Sequence, residues 1–190
     1  MSGQQPFILA SASPRRMELL KQVGLVPAQV IHPEIDETPL KAELPAKYAL
    51  RCALEKAQVV ARAHPNAIIL AADTVVALGR RILPKAEAEA QAKQCLELLS
   101  GRRHSVYTGV AVVDARGVHT RMVETAVRFK RLSAEEMRAY ITSGEWRGKA
   151  GGYAIQGKAA AFIPWINGSF DNVVGLPLAE VVGLLRSVRS

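Results

Sequence analysis

The stretch Phe7-Ile8-Leu9-Ala10-Ser11-Ala12-Ser13-Pro14-Arg15-Arg16 decides the fold of this 190-residue chain. Its first four residues form a short apolar run, which predicts a buried β-strand. Ser13 is a typical N-cap and Pro14 suits the first helical turn, so a helix is predicted from Pro14 to about Val23. A buried strand that leads directly into a helix is the first unit of an α/β fold.

The start of this helix is also the first predicted binding site. Free backbone N–H groups and the helix dipole favour an anion at a helix N-terminus. Ser11 precedes the helix, and Arg15 and Arg16 add planar donor groups that match the oxygens of a phosphate. The alternative is an ordinary N-cap followed by two solvated arginines, but cations in the first turn oppose the helix dipole. The pattern therefore favours a phosphate site.

Helix and strand patterns alternate along the rest of the chain. Helices are predicted over 45–63, 87–99 and 133–144 and from Pro177 onward, and strands over 67–72, 105–113, 118–129 and 159–166. Residues 114–117 and the pair Asn167-Gly168 are predicted to form the turns of two hairpins. We therefore expect one α/β domain over residues 1–190, with a mixed, partly antiparallel sheet and helices on both sides.

The composition is that of a globular protein. Hydrophobic residues make up 49% and charged residues 22% of the chain, which are ordinary proportions. Cys52 and Cys95 lie in helical patterns without metal-ligand spacing, which indicates a reducing compartment. No apolar run approaches the roughly 18 residues of a membrane span, and Met1 to Pro6 lacks the pattern of a signal peptide. We expect a cytoplasmic protein with no membrane partner.

The net charge of +8 indicates an anionic partner. Nucleic acid and a polyphosphate substrate both satisfy that requirement. Proteins that bind single strands usually interleave basic residues with stacking aromatic residues. Here the basic residues are scattered and aromatic residues make up only 5% of the chain. The composition therefore argues against nucleic acid and leaves a small phosphorylated substrate as the simpler partner.

Two charged residues occupy positions where apolar residues are expected. Lys56 falls inside the apolar stripe of the 45–63 helix, where it either snorkels to the surface or reaches into a phosphate-binding cleft. Asp73 directly follows the buried run 68–72, at an end of a strand where α/β sheets bind their ligands. Asp73 is either a turn aspartate or a functional carboxylate, and in the second case a general base or a metal ligand.

Three further charged residues are ambiguous when taken alone. Asp36 and Glu37 lie in a proline-flanked loop and are candidates for binding a divalent cation, which prefers oxygen ligands. A solvated acidic loop explains the same residues equally well. Lys85 carries no signal that separates a phosphate ligand from a surface lysine.

The segment Gly152–Lys158 has the spacing of a phosphate-binding P-loop but fails two tests of context. Ala159 stands where a hydroxyl should hold magnesium, and the residues that follow predict a strand instead of a helix. We interpret residues 149–157 as a tight glycine-rich loop that permits close backbone approach. Gln156 within this loop has both donors and an acceptor and can hydrogen-bond the edge of a nucleobase.

Taken in order, these residues resemble the successive motifs of the Maf family. The similarity extends over nearly the whole chain, and its motifs are Ser11-Ala12-Ser13-Pro14-Arg15-Arg16, Glu55-Lys56-Ala57, Ala72-Asp73-Thr74-Val75, His104-Ser105-Val106-Tyr107-Thr108, Lys149 to Gly157, and Asn167-Gly168-Ser169 through Gly175-Leu176-Pro177-Leu178. The resemblance implies a Maf/ITPase-like α/β fold with two lobes around a deep cleft. It also implies a pyrophosphatase that splits a nucleoside triphosphate into the monophosphate and pyrophosphate with Mg²⁺ or Mn²⁺.

The resemblance assigns roles to individual residues. Asp73 matches the proposed proton acceptor of the family and, with Glu37, its metal site. The positions that match the substrate-binding and base-selecting residues of the family are Ser11, Arg16, Lys56 and Lys85 for the phosphates and Arg15, Thr74 and Gln156 for the base. The sequence Pro84-Lys85-Ala86 departs from the family pattern, in which the lysine is usually followed by proline.

The motif at residues 149–157 is similar to that of the subfamily that acts on dTTP and UTP. Two alternatives stay open at this point: a house-cleaning enzyme for modified nucleotides, and a binding protein that restrains cell division with little activity, since Maf proteins were first described as inhibitors of septum formation. The sequence also leaves open whether the chain forms a homodimer.

Overall fold

A computed structural model of the chain describes residues 5–189. The prediction that Met1 to Pro6 is not a signal peptide concerns residues that lie mainly outside this range. The strands are β1 (Phe7–Ala10), β2 (Gln29–Ile31), β3 (Ile68–Leu78), β4 (Arg81–Leu83), β5 (Lys85–Ala86), β6 (Arg103–Asp114), β7 (Gly117–Arg128), β8 (Lys149–Ala150) and β9 (Trp165–Asn167). The helices are α1 (Pro14–Gln22), α2 (Pro45–Ala63), α3 (Glu89–Leu99), α4 (Ala134–Ser143), α5 (Phe170–Val174) and α6 (Leu178–Arg189), with a 3₁₀ helix over Lys158–Phe162.

The central sheet has the strand order β2-β1-β3-β6-β7-β9, and β4 pairs with the second half of β3. Strand β1 is parallel to both β2 and β3. The pairings of β3 with β6, β6 with β7 and β7 with β9 are antiparallel. Strands β5 and β8 form a separate two-stranded sheet. The predicted mixed, partly antiparallel sheet is therefore confirmed.

Helix α2 covers one face of the central sheet. Its apolar residues recur at helical spacing, so they form one continuous stripe. Ala53, Ala57 and Val60 from this stripe are buried in one cluster with Ile69 and Ala71 of β3. The small alanine side chains permit a close approach of helix and sheet.

The closest approach is at Gly109 of β6. A Cβ atom at this position would lie 2.4 Å from the carbonyl oxygen of Ala49 and 2.6 Å from Cα of Leu50. No side chain fits in that space, so glycine is required where the backbone of α2 crosses β6. This contact fixes the height of α2 above the sheet and, with it, the reach of the charged side chains that α2 carries.

The opposite face of the sheet packs against the other long helices. Side chains alternate along a strand, so Ile68 and Leu70 of β3 point away from α2. They belong to a larger core that includes Leu20 of α1, Leu96 of α3 and Leu185 of α6. Helices therefore lie on both sides of the sheet, as predicted.

The predicted strand over 159–166 is wrong. An alanine-rich 3₁₀ helix occupies its first part, and only the short strand β9 remains of the rest. The run Ala159-Ala160-Ala161 has no β-branched residue, which explains why it does not continue the sheet. The P-loop segment is therefore followed by a helical turn, although Ala159 still lacks the required hydroxyl.

The predicted hairpin turn at Asn167-Gly168 is also wrong, because β9 leads directly into α5 with Ser169 as its N-cap. A Cβ atom on Gly168 would lie 2.7 Å from Oγ1 of Thr125, so this glycine serves close packing. The second hairpin instead joins β3 to β4 through Gly79 and Arg80.

The predictions for α2, for the start of α4 and for the helical positions of the two cysteines are confirmed. Helix α2 has the predicted bounds, and Ser133 and Glu136 form the predicted reciprocal capping box at the start of α4. Cys52 and Cys95 are buried free thiols in α2 and α3. Within residues 5–189, no helix combines the length and apolar character needed to cross a membrane.

Candidate functional site

A cleft of about 330 Å³ opens between two parts of the molecule. One wall comes from the β1–α1 turn, α2 and β3, and the other from the small β5–β8 sheet and the loop that follows β8. The nine residues predicted for the site all line this cleft: Ser11, Arg15, Arg16, Glu37, Lys56, Asp73, Thr74, Lys85 and Gln156. The structure thus brings together residues that are separated by up to 145 positions in the sequence (156 − 11 = 145).

The β1–α1 turn presents its polar groups toward the cleft. Ser13 occupies the N-cap position of α1 in an extended conformation, and its side chain makes no capping hydrogen bond. The hydroxyl of Ser11 instead accepts the N–H of Ser13 at 3.1 Å. The turn is therefore organised by Ser11, and the N-terminus of α1 lines the cleft.

Arg16 is held firmly in the wall of the cleft, with only 8% of its surface exposed. Its guanidinium donates to the Ser11 hydroxyl at 3.0 Å, to the Thr74 hydroxyl at 3.2 Å and to the carbonyl oxygen of Gly175 at 2.8 Å. Burial lowers the pKa of Arg16, while the nearby carboxylate of Asp73 opposes that shift. These bonds use only part of the donor capacity of a guanidinium, so Arg16 can also bind a phosphate.

Arg15 lies beside Arg16 in the first turn of α1. Its Nε donates to the carbonyl oxygen of Val174 at 3.3 Å. Burial lowers the pKa of Arg15 as well, and the charge of Glu18 opposes that shift. The two arginines are therefore oriented by consecutive carbonyl groups, Val174 and Gly175, at the end of α5.

Two lysines and two carboxylates form a continuous ion-pair network in the cleft. Nζ of Lys56 lies 2.6 Å from Oδ1 of Asp73 and 2.6 Å from Oε1 of Glu37. Nζ of Lys85 lies 2.7 Å from Oε2 of Glu37. The side chain of Lys56 is only 8% exposed, so it does not snorkel to solvent. Its place in the apolar stripe of α2 is explained by Asp73, which points from β3 toward the same helix.

The network has a strong effect on Glu37. Partial burial by itself would raise the pKa of this carboxyl, but hydrogen bonds and charge from Lys56 and Lys85 lower the pKa to about 2. The backbone of Glu37 is also anchored, because its carbonyl oxygen accepts the hydroxyl of Tyr48 at 2.8 Å. Glu37 is thus an ionised carboxylate held over the cleft from an irregular loop.

The sequence places Asp73 at the end of a strand, and this detail is wrong. Asp73 lies in the interior of β3, which continues to Leu78 because its second half pairs with β4 and β6. The parallel partner β1 does end early, opposite Ala71. Asp73 therefore lies just beyond the carboxyl end of β1, at the position in the sheet where a ligand site is expected.

Asp36 does not join the site. It is exposed, its carboxylate accepts the backbone N–H of Thr38 at 2.9 Å, and it does not line the cleft. Lys85, in contrast, is fixed in position, although the sequence Pro84-Lys85-Ala86 departs from the family pattern. The pairs Lys85↔Ala150 and Ala86↔Lys149 form the β5–β8 ladder, which directs the lysine toward Glu37.

The donor set suits a divalent cation that also binds the substrate. Glu37 and Asp73 converge on one cationic point, the ammonium group of Lys56. No group of three or more His, Cys, Asp or Glu side chains that could enclose a metal occurs within residues 5–189. Magnesium is commonly held by one or two carboxylates together with substrate phosphates, so two carboxylates beside several phosphate-binding cations fit that mode.

Residues 148–156 form the wall opposite Asp73, and sequence reasoning missed how they are held. Gly151 has a φ of +65°, and a Cβ atom on it would lie 2.8 Å from Cγ1 of Val76. The buried hydroxyl of Tyr153 lies 2.8 Å from Nε2 of His104 at the start of β6. Gln156 is exposed at the cleft wall. His104 lies in one of the family motifs and Tyr153 in another, and this was the available sequence signal for the contact.

Lys149 is a further cation that the sequence did not single out. It lines the cleft, and burial together with the charge of Arg15 lowers its pKa. The cleft is therefore lined by more cations than carboxylates: Arg15, Arg16, Lys56, Lys85 and Lys149 against Glu37 and Asp73. An excess of positive charge in a partly enclosed space favours a polyanionic ligand.

The fold and the cleft define an α/β protein with a cation-rich cleft that suits a polyanionic ligand. The family model described as Maf-like protein matches residues 6–188, and the chain belongs to this family. The chain is 58% identical over 189 residues to a Caulobacter vibrioides protein named dTTP/UTP pyrophosphatase, a match that covers 99% of this chain and 98% of that one.

Two other relatives carry the same name. The Novosphingobium aromaticivorans protein is 57% identical, with 97% of this chain and 93% of that one covered. The Paramagnetospirillum magneticum protein is 59% identical, with 94% and 95% covered. The resemblance inferred from the motifs is thus confirmed along nearly the full chain.

Solved structures with a partial likeness include two Ham1 proteins. The Staphylococcus aureus Ham1 protein has a TM-score of 0.47 and 14% identity, with 65% of this chain and 71% of that one covered. The Ham1 protein of Coxiella burnetii has a TM-score of 0.45 and 17% identity, with 68% and 75% covered. At these scores the likeness supports no statement about activity.

Proposed function

We propose that the chain is a nucleoside triphosphate pyrophosphatase that hydrolyses dTTP and UTP to the nucleoside monophosphate and pyrophosphate. Relatives with 57–59% identity over nearly the whole chain carry that name. The observation that carries the proposal is the convergence of all nine predicted residues on one cation-rich cleft. The reducing, cytoplasmic location predicted from the sequence agrees with a nucleotide substrate.

The cations of the cleft account for binding of the triphosphate. Arg16 is oriented by Ser11, Thr74 and the Gly175 carbonyl group and presents its remaining donors to a phosphate oxygen. The ammonium group of Lys56 lies on the same wall of the cleft as Arg16, and that of Lys85 comes from the opposite wall. Catalysis of phosphoryl transfer consists largely of positioning and charge stabilisation, which these fixed cations supply.

Asp73 is the proposed proton acceptor. In this account a water molecule attacks the α-phosphorus, Asp73 takes its proton, the bond to the bridging oxygen breaks, and pyrophosphate leaves. Lys56 holds Oδ1 of Asp73 at 2.6 Å and so orients the carboxylate. A carboxylate that binds the metal instead of accepting the proton is the remaining alternative for Asp73.

We propose Mg²⁺ or Mn²⁺ as the cofactor, held by Glu37 and Asp73 together with the substrate phosphates. Such an ion would neutralise the triphosphate and stabilise the charge that develops on the leaving group. Lys56 and Lys85 form ion pairs with the same two carboxylates. The lysines would therefore lie beside the ion and could also contact the phosphates.

Arg15, Thr74 and Gln156 are the proposed base-selecting residues. All three line the cleft. Arg15 supplies donors, Gln156 supplies both donors and an acceptor, and Thr74 supplies a hydroxyl, which is the kind of mixed pattern that reads a pyrimidine edge. A site that hydrogen-bonds a substrate group discriminates strongly against an analogue that lacks it.

Hydrolysis of dTTP in water enriched in ¹⁸O tests the proposed bond cleavage. Attack at the α-phosphorus places the label in dTMP and leaves pyrophosphate unlabelled, as mass spectrometry of both products would show. Label in pyrophosphate would instead mean attack at the β-phosphorus and would contradict the mechanism. Release of inorganic phosphate with dTDP would contradict the proposed reaction itself.

A further inference from the structure

Helix α5 orients the two arginines of the site, although it carries none of the predicted catalytic groups. Its last carbonyl groups, Val174 and the adjoining Gly175, accept hydrogen bonds from Arg15 and Arg16. Carbonyl groups at the C-terminal end of a helix carry partial negative charge, which suits guanidinium partners. The position of α5 therefore sets the position of both arginines.

Helix α5 has only five residues and cannot hold its own position. Isolated helices shorter than about 12 residues are marginal in water, so a short helix depends on its tertiary contacts. Ser169 caps it through the N–H of Asn172, and Asp171 accepts the N–H of Leu178 at 2.6 Å. These bonds are local and do not tie the helix to the central sheet.

Two residues attach α5 to the sheet. Ser169 donates its backbone N–H to Oγ1 of Thr125 at 3.0 Å and accepts the Thr125 hydroxyl with its backbone carbonyl oxygen at 3.1 Å. The second residue is Asn172, which is fully buried. Its Nδ2 donates to the carbonyl oxygen of Val106 on β6 at 3.2 Å and to the Thr125 hydroxyl on β7 at 2.9 Å. Its backbone carbonyl oxygen accepts the hydroxyl of Thr108, which in turn lies 2.9 Å from the hydroxyl of Thr74. Asn172 is thus bonded to two strands and linked to one residue of the cleft.

We propose that Asn172 is the positioning residue for Arg15 and Arg16, and so for both phosphate binding and selection of the base. The chain of contacts runs from Thr125 through Asn172 to the Val174 and Gly175 carbonyl groups. The proposal rests on the proposed function, because it assumes that the two arginines contact the nucleotide. Asn172 itself is not among the residues that line the cleft, so its effect on the nucleotide is indirect.

Loss of the two Nδ2 bonds weakens the attachment of α5 to the sheet, so the end of the helix that carries the Val174 and Gly175 carbonyl groups can shift. A displacement of about 1 Å at a catalytic site can lower the rate of an enzyme about 100-fold. Because Arg15 and Arg16 move together, the shift changes phosphate affinity and base selection at once. General loss of stability behaves differently, since it lowers the folded fraction and reduces turnover of all nucleotides by the same factor.

The test compares Asn172→Ala with Asp114→Ala. Asp114 is a buried polar residue at the opposite end of β6, where it accepts the N–H groups of Arg116 and Gly117. Both variants remove buried hydrogen bonds and are expected to lower Tm. The quantity to measure is the ratio of kcat/KM for dTTP to kcat/KM for dCTP, together with the Kd of inorganic tripolyphosphate.

We expect Asn172→Ala to lower kcat/KM for dTTP at least about tenfold, to narrow the dTTP/dCTP ratio and to weaken tripolyphosphate binding. Asp114→Ala should change neither the ratio nor the Kd. An unchanged ratio and an unchanged Kd in folded Asn172→Ala would overturn the proposal. If that variant does not fold, Thr125→Val takes its place with little change in shape. It removes the bonds of the Thr125 hydroxyl to both Asn172 and Ser169, and it is judged by the same two quantities.

The experiments give a different result if the proposed function is wrong. Wild-type protein that releases no pyrophosphate from any nucleoside triphosphate would contradict the pyrophosphatase assignment. Tripolyphosphate binding would still test Asn172 in that case, because it depends only on the placement of the arginines. Weaker binding in Asn172→Ala than in Asp114→Ala supports the positioning role, and equal binding overturns it.

Discussion

Lys56 of α2 and Asp73 of β3 form a buried ion pair with 2.6 Å between Nζ and Oδ1. The side chains are only 8% and 4% exposed. The same ammonium group also binds Glu37, so a single lysine bridges both carboxylates of the cleft. The same ion pair therefore contributes to the stability of the fold and to the charge of the cleft.

Replacement of Lys56 should therefore be costly for the fold. Lys56→Met keeps the length of the side chain but leaves Asp73 buried without its cation, which typically destabilises a protein by about 3–5 kcal/mol. Urea unfolding followed by circular dichroism measures this change. The double variant Lys56→Met/Asp73→Asn removes both charges and should recover much of the loss. Equal instability of the single and double variants would mean that the ion pair is not the cause.

Asp73→Asn should separate chemistry from binding. The amide keeps an oxygen that can accept the hydrogen bond from Lys56, but it cannot take a proton from water. We expect kcat for dTTP to fall at least about 100-fold. The loss of stability should be smaller than in Lys56→Met, because Lys56 keeps its ion pair with Glu37. Asp114→Asn, at the far end of the sheet, is the matched control and should retain activity. Full turnover by Asp73→Asn would exclude Asp73 as the proton acceptor.

His104 should make the stability of the protein sensitive to mildly acidic pH. Burial lowers the pKa of His104 from 6.5 to about 4. The unfolded chain therefore binds a proton at a higher pH than the folded chain, so stability is fully present above about pH 6.5 and decreases as the pH falls toward 4. Each pKa unit of the shift corresponds to about 1.4 kcal/mol.

The variant His104→Gln tests this assignment, because glutamine can still hydrogen-bond the Tyr153 hydroxyl but does not titrate. The free energy of unfolding, measured by urea titration between pH 4 and pH 7, should vary less with pH in the variant than in the wild type. Parallel curves for the two proteins would show that His104 is not responsible for the acid sensitivity.

Gly151 should control the position of the loop that carries Gln156. Gly151→Ala places a Cβ atom 2.8 Å from Cγ1 of Val76 and also imposes an alanine on a backbone with φ of +65°. Gly148→Ala is a matched control, because its φ is +64° and no heavy atom lies within 4 Å of the added Cβ. The conformational cost alone is about 1–2 kcal/mol.

Both glycine variants should therefore lose a similar amount of stability, because each places an alanine in the left-handed backbone conformation. Only Gly151→Ala should also displace the loop from Val76. We expect a KM for dTTP that is about tenfold higher in Gly151→Ala, because substrate groups are misplaced, and a smaller change in Gly148→Ala. Steady-state kinetics on both purified variants decides the point. Identical KM values would show that the contact with Val76 does not position the loop.

Much of the fold could be predicted from the sequence, because the elements that build the site have strong local signals. Helix α2 has a clear apolar stripe, and Lys56 stands out only because that stripe is otherwise so regular. Strand β3 was recognised by its apolar run, but its second half was missed because the signal of pairing with β4 and β6 is not local.

The parts that the sequence did not reveal depend on contacts between distant segments. The Val174 and Gly175 carbonyl groups that orient Arg15 and Arg16 are backbone atoms, so no side-chain pattern marks them. Asn167-Gly168 has the composition of a hairpin turn, but contact with Thr125 determines its conformation. Tertiary packing overrides local preference at such positions.

Pyrophosphate release from a panel of nucleoside triphosphates, with Mg²⁺ or Mn²⁺ present, tests the central claim most directly. The panel contains dTTP, UTP, CTP, GTP, 7-methyl-GTP and methylated pyrimidine nucleotides. We predict turnover that is concentrated on dTTP and UTP and is lost in Asp73→Asn. Preferred turnover of a modified nucleotide would keep the reaction and change the substrate. No pyrophosphate from any member, with folded protein and metal present, would contradict the claim that this cleft is the active site of a nucleotide pyrophosphatase.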